Sequence, residues 1–347
     1  MKNVLYYLTT AIVMMTIFIT SSCNRENGDD YNLVNESKQM TLTLKGLYAV
    51  NIEMAGSDSV TIDWGDNSAI EKHQFAVGYS KFGHSYSDAS NRTIIITGKN
   101  IEGLMCAKIQ LTGLDVSENT RLTSLYCNHN LLNDIDVSKN TELESFSCNH
   151  NMLTSLDVSK NTKLTTLWCH ENLLESLDVN KNIALTKLHC DNNRLTIIDM
   201  SKNLLLRELF CSDNHLTDLV VNSNNALKEL DCSGNRLTNL ELTGKNALTK
   251  MNCNNNELVS LAANNNTALT ELDCRRNQLE KLDMTNNNAL CELYCGFNRL
   301  DTDALDKLFL TLHNITISGG KTIFIFDNPG MYYCNEELAE QRGWYVE

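Results

Sequence analysis

Ten cysteines stand 21 residues apart along this chain without a slip: Cys106, Cys127, Cys148, Cys169, Cys190, Cys211, Cys232, Cys253, Cys274 and Cys295. A fixed period of this length makes one small unit recur and stack on itself, so most of the chain is expected to be a solenoid. The unit Leu143 to Lys163 reads L-x-x-F-x-C-x-x-N-x-L-x-x-L-D-V-S-x-N-T-x. Apolar residues alternate around Cys148, which predicts a half-buried strand with Phe146 and Cys148 inward and Ser147 outward. Asn151 falls where the chain must turn, and its amide can satisfy backbone groups outside any ladder. Asn130, Asn193, Asn214, Asn235, Asn256, Asn277 and Asn298 stand at the same offset and are expected to stack with it.

The second half of the unit repeats the first more weakly through Leu153, Leu156, Val158 and Asn161. Two extended arcs per coil are expected, with a rise of about 4.8 Å per coil and a rod on the order of 45 Å for ten coils. A single coil cannot bury its apolar residues, so both ends require caps. The pattern breaks after Leu300. There Asp301 or Thr302 can N-cap a helix presenting Leu305, Leu308, Phe309 and Leu312 on one face. A strand-like run from Lys321 to Phe326, a turn at Asn328-Pro329-Gly330 and a short helix from about Asn335 to Gly343 follow.

The chain has 347 residues and a formal net charge of −14, which disfavours electrostatic binding to nucleic acid or to anionic membranes. Residues 1–22 read as a secretion signal: Lys2 starts it, Val4 to Ile19 is mostly apolar, and Thr20-Ser21-Ser22 precede Cys23. The segment is too short and broken for a stable span. Small residues before Cys23 resemble the lipobox of bacterial lipoproteins, with Thr20 where Leu is usual; the resemblance implies lipidation at Cys23. Residues 23–39 are polar, with Glu26, Asp29 and Asp30, as in a tether. Acidic residues just after the cysteine resemble the surface-export signal of some Gram-negative lipoproteins. That implies a lipid-anchored, surface-exposed place on the outer membrane.

Exported chains with many cysteines usually form disulfides. Here the ten periodic cysteines share one inward strand position, with parallel Cβ vectors that suit neither a disulfide nor a metal site. They are expected to be free, buried and structural. Cys291 and Cys334 stand outside the ladder, and a bridge between them is left open. No metal or other cofactor is expected.

Residues 40–100 read as a small β-domain, with strand signals at Thr41–Leu44, Ser59–Asp63 and Thr93–Thr97. The run Asp63-Trp64-Gly65-Asp66-Asn67, followed by His84-Ser85-Tyr86, resembles the polycystic-kidney-disease (PKD) domain, an immunoglobulin-like sandwich. Asn67 replaces the family's second glycine, and Asn also tolerates a left-handed turn. The resemblance implies a spacer or interaction module, with Trp64 in the core and Asp66 and His84 orienting loops.

The 21-residue unit itself resembles the cysteine-containing leucine-rich repeats of internalin J and its relatives, over residues 101–300. Val220, Glu241 and Ala262 depart from its usual Asp, and Ile109 from its ladder Asn. The expected fold is therefore mainly β: a right-handed leucine-rich-repeat solenoid of about ten coils, preceded by the sandwich and closed by an α/β cap over residues 301–347. The family implies a bacterial surface protein that adheres or binds partners. No C-terminal sorting motif follows the repeats, so the anchor is expected at Cys23.

One outward position per coil precedes the cysteine. It holds Met105, Tyr126, Ser147, Trp168, His189, Phe210, Asp231, Asn252, Asp273 and Tyr294. Inward alternation cannot explain Trp168, His189 and Phe210; with Tyr126 at the same position and His129, His150 and His170 in nearby loops they form the candidate ligand-binding patch. Such a patch fits a protein or glycan ligand; the equal alternative is that aromatic neighbours cover one another as sheet-stabilising pairs. The column Asp115, Asp136, Asp157, Asp178 and Asp199 is read as structural, with calcium binding the alternative. No nucleophile elbow, phosphate loop or HExxH motif is present, so binding by a monomer is expected over enzymatic activity. A passive envelope scaffold is the other reading.

Overall fold

The structure is a computed structural model, and it describes residues 38–242 and 244–347. The expected signal, tether and lipidation at Cys23 lie outside the described residues.

Eight strands open the described chain: β1 (Gln39–Leu44), β2 (Ala49–Gly56), β3 (Ser59–Asp63), β4 (Glu71–Gln74), β5 (Tyr79–Ser85), β6 (Arg92–Gly98), β7 (Ile101–Met105) and β8 (Leu111–Asp115). One sheet runs in the order β4-β3-β6-β1-β8. In the other, β2 pairs antiparallel with β5 and β7. Alternation buries Met40, Leu42, Leu44, Ile52, Met54, Ile62, Ile94 and Ile96 as one core. The strands on either side of residues 100 and 101 share their sheets. β7 and β8 belong to the first coil, yet each completes a sheet of the preceding segment. A segment too short to close its own two sheets thus borrows two strands from the solenoid.

The sheet containing β7 continues without interruption. β7 pairs parallel with β9 (Ser124–Tyr126), setting Leu104 beside Leu125 and Met105 beside Tyr126. Parallel pairing in the same register carries on through β10 (Ser145–Ser147), β11 (Thr166–Trp168), β12 (Lys187–His189), β13 (Glu208–Phe210) and β14 (Glu229–Asp231). Beyond β15 (Asn239–Glu241) it resumes in β16 (Lys250–Asn252), and beyond β17 (Ser260–Ala262) in β18 (Glu271–Asp273) and β19 (Glu292–Tyr294).

The sheet then takes two strands more than ten coils supply. After helix α1 (Thr302–Thr311), capped by the Asp301 carboxylate accepting from the Ala304 amide, β20 (Thr322–Phe324) joins β19. Helix α2 (Glu337–Glu340) follows, and β21 (Tyr345–Val346) pairs with β20. The run Phe324-Ile325-Phe326-Asp327-Asn328 is a further repeat with Ile325 in the cysteine place. Asn328 Nδ2 donates to the Cys295 and Ile325 carbonyls, as ladder asparagines do.

The ten ladder thiols are buried and free. Burial pushes them up, to about 12 at Cys127 and Cys295, so they stay protonated and act as small apolar groups. Cys291 and Cys334 are also free; their thiols donate separately to the Thr270 and Met331 carbonyls.

The Asn151 amide donates to the Cys127 and Cys148 carbonyls, and its oxygen accepts from the Leu132 amide. Asn172 belongs to the same ladder. A second buried ladder runs through Asn119, Asn140, Asn161, Asn182, Asn203 and Asn224. Asn161 Nδ2 donates to the Val137 and Asn140 carbonyls. Lys245 interrupts this ladder and resumes hydrogen bonding through Nζ, which reaches Asn225 Oδ1 at 3.1 Å.

The second arcs depart from the expected pair of extended faces. Among the described residues, β8 of the first coil pairs with β1, and the other second arcs form only the β15–β17 ladder and the Asp199–Val220 bridge. The Asp column explains this. Asp136 and Asp157 each accept the amide two residues on, at 2.8 Å, and Asp115, Asp178 and Asp199 do the same. Such a turn curls the chain out of the ladder. Regular pairing appears where Val220, Glu241 and Ala262 replace Asp.

Candidate functional site

The parallel register places the outward residue of each coil directly beside that of the next. Trp168 is the strand neighbour of His189, and His189 of Phe210. Their rings stack: centroids are 5.7 Å apart for Trp168 and His189 and 4.4 Å for His189 and Phe210, each pair inclined by 24°. Tyr126 stands apart, because Ser147 separates it from Trp168. Tyr294 starts a second stack on Phe324, at 4.5 Å, which the cysteine period gave no reason to include.

Outward phase did not guarantee exposure. His189 retains 9% of its accessible surface, since the larger rings on either side cover it. Ser147, also expected outward, is buried, and its Oγ donates to Asn149 Oδ1. His170 is buried too, whereas Tyr126, Trp168 and Phe210 are half-buried.

The loop histidines join the same cluster. His129 and His150 occupy the left-handed turn two residues after their cysteines, with φ of 55° and 53°. Ten coils place Lys108, His129, His150, Glu171, Asn192, Asp213, Gly234, Asn255, Arg276 and Phe297 in this conformation. The turn therefore fixes the backbone while the side chains differ. His129 stacks on His150 at 3.8 Å, His150 meets His170 edge-on at 5.5 Å, and His170 lies 6.2 Å from His189. His150 pairs with Glu171 at 2.5 Å. Burial, then the neighbouring histidines, pushes His170 down to about 3. His170 Nδ1 and Trp168 Nε1 are buried without a hydrogen-bond partner, and His189 Nε2 has only Glu208 nearby, at 3.8 Å, among the described residues. Among the described residues, no group of three or more His, Cys, Asp or Glu side chains is arranged to hold a metal ion.

Beyond Phe210 the same face becomes polar. A shallow groove of about 170 Å³ is lined by Phe210, Glu229, Asp231, Lys250, Asn252 and Glu271. Farther on, Arg275 clamps Asp273 through Nε at 3.0 Å and Nη2 at 2.6 Å, with its guanidinium 4.9 Å from the Tyr294 ring centre. These contacts join residues from three columns, which a single-column reading of the repeats cannot bring together.

In the opening β unit, Trp64 is core, and His84 stacks on it at 5.2 Å while bonding Asp66 at 2.7 Å. Hydrogen bonds from Ser68, then from His84, hold the Asp66 carboxyl below its ordinary range. Gly65 and Asn67 adopt φ of 75° and 65°, so Asn67 takes the left-handed turn expected of it in place of a glycine.

Neither a protein-family model nor a curated protein matches the sequence. Solved structures do match. The functional domain of InlJ from Listeria monocytogenes, which includes a cysteine ladder, is 32% identical over 72% of this chain, with a TM-score of 0.60. The match spans 60% of that domain's length. The leucine-rich-repeat domain of APL1B is 24% identical over 65% of this chain and 70% of its own, with a TM-score of 0.54. A chain of the octameric complex of Latrophilin 3, Unc5D and FLRT2, in which FLRT2 supplies a leucine-rich-repeat domain, is 19% identical over 72% of this chain and 90% of its own, with a TM-score of 0.52. The repeats thus form an internalin-like leucine-rich-repeat solenoid.

Proposed function

We propose that this chain is a bacterial cell-surface lipoprotein that binds a protein or glycan partner through the strand face of its repeats. The observation that carries the reading is the stack Trp168–His189–Phe210 on the outward side of a continuous parallel sheet. Stacked rings offer contact area that loses little entropy on binding. Tyr126, His129, His150 and His170 flank the stack and complete the proposed surface. Cys23 carries the lipid, and the PKD-like β unit and the segment after Leu300 cap the solenoid. Among the described residues no helix is long and apolar enough to cross a membrane.

Capture of surface proteins and glycans by the purified chain, compared with a Tyr126→Ser/Trp168→Ser/Phe210→Ser variant, tests the surface. Loss of the captured partner is expected; unchanged capture overturns the reading. Labelling with a radioactive fatty acid tests the anchor, with loss of label in Cys23→Ala expected.

The mutual covering of the rings favours a second reading, a passive envelope scaffold whose aromatics only seal the sheet. In that case the triple variant loses stability, and the parent captures no partner.

A further inference from the structure

The groove beside Phe210 has a counterpart within the chain that is already filled. At Asp273 the residue two positions on is Arg275, whose guanidinium makes a two-point contact with the carboxylate and lies over a neighbouring aromatic ring. That is the geometry a planar guanidinium favours. At Asp231 the corresponding residue is Ser233, which bonds Asp231 Oδ1 through its amide at 3.0 Å and its hydroxyl at 2.6 Å. Asp231 Oδ2 accepts a long 3.2 Å contact from Asn252, and a carboxylate has further acceptor sites. An aromatic ring also flanks Asp231, on the opposite side: Phe210 stands on the preceding strand, whereas Tyr294 follows Asp273. Ser233 is too short to cover it, and the groove stays open.

Charge points to the same occupant. Glu229, Asp231 and Glu271 line the groove with a single ammonium, Lys250, which lies 3.4 Å from Glu271. Glu229 also stands directly beside Glu208 on the preceding strand. Directly opposed like charges destabilise a sheet. Lys187 offsets Glu208 at 2.7 Å, and Lys250 stands beside Glu229 on the other side, so three carboxylates of the groove share that one ammonium.

We infer that this groove receives an arginine side chain from a protein partner, with the guanidinium on Asp231 and Glu229 and its flat face against Phe210. The inference rests on the strand face being the partner surface, and it selects a basic protein segment over a neutral glycan. A lysine ammonium can meet the charge, but it cannot reproduce the planar two-point contact.

The test titrates the full chain with an acetyl-Gly-Arg-Gly-amide peptide and with its lysine and citrulline counterparts, following backbone amide shifts at Asp231, Ser233 and Asn252. Saturable binding of the arginine peptide is expected, about tenfold tighter than the citrulline peptide, given the strength of charge-assisted bonds. Ser233→Arg places the chain's own guanidinium at Asp231 and should weaken peptide binding about tenfold or more. Glu229→Gln removes a repelling neighbour of Glu208 and should fold at least as well as the parent while binding more weakly. Equal binding of the citrulline peptide, or indifference to both variants, overturns the inference. So does a neutral oligosaccharide that shifts these amides when the arginine peptide does not. A partner lost on Trp168→Ser but retained by both groove variants overturns the arginine site and leaves the strand-face reading standing.

Discussion

His189 lies face to face with Phe210, ring centroids 4.4 Å apart, although a full coil of chain separates them. Trp168 covers the opposite side of the same imidazole. Each aromatic contact is worth about 0.5–1.5 kcal/mol beyond area burial. His189→Ala is therefore expected to cost about 1–3 kcal/mol, and His189→Phe much less. Urea unfolding followed by circular dichroism checks both; an unchanged midpoint in His189→Ala would show that the rings touch without contributing.

The second asparagine ladder makes a sharper prediction. Asn161 Nδ2 supplies two buried carbonyls, while its Oδ1 has no partner. Its value lies in the donor, so Asn161→Asp should be at least as damaging as Asn161→Ala. Each orphaned buried carbonyl costs about 1–3 kcal/mol. At Lys245 burial pushes the ammonium pKa down, and Lys245→Asn should stabilise the chain by about 1 kcal/mol by restoring neutral donors. Thermal melts of the three variants decide it, and a lower melting temperature for Lys245→Asn would count against the ladder account.

The ladder thiols predict an alkaline limit. In the folded chain they lie above the ordinary value of 9.0, at about 12 for Cys127 and Cys295. Deprotonation therefore favours the unfolded chain, so the stability they lend is complete below about pH 9 and falls as pH rises toward 12. At pH 8 a thiol reagent should modify the half-buried Cys291 and Cys334 first, and the ladder only on unfolding. Fast labelling of Cys190 in the native chain would contradict this.

His170 predicts an acid limit of the opposite sign. Its folded value of about 3 lies below the ordinary 6.5, because burial and three nearby histidines oppose the charge. Protonation then favours the unfolded chain. The contribution is complete above about pH 6.5 and is lost as pH falls toward 3. His170→Asn should flatten the stability profile over that range. An unaltered acid limb would locate the sensitivity elsewhere.

The sequence by itself determined the repeat, the inward phase of the cysteines and the Asn151 series, because stacked coils must share one register and bury the same offsets. It also marked the helix after Asp301 through its cap and apolar stripe. Tertiary structure decided what a period cannot contain. Ile325 takes a cysteine place 30 residues after Cys295, since α1 is looped out between them. β7 and β8 serve two folding units at once, and Asp turns such as those at Asp136 and Asp157 keep most of the second arcs out of a ladder. The candidate surface divides in the same way. Alternation set the outward phase of Trp168, His189 and Phe210, but how much of each stays accessible depends on the size of its neighbours on adjacent strands. Packing across coils therefore buried His189, joined His150 to His170, and left the groove beside Phe210 and Asp231 open while Arg275 covers Asp273.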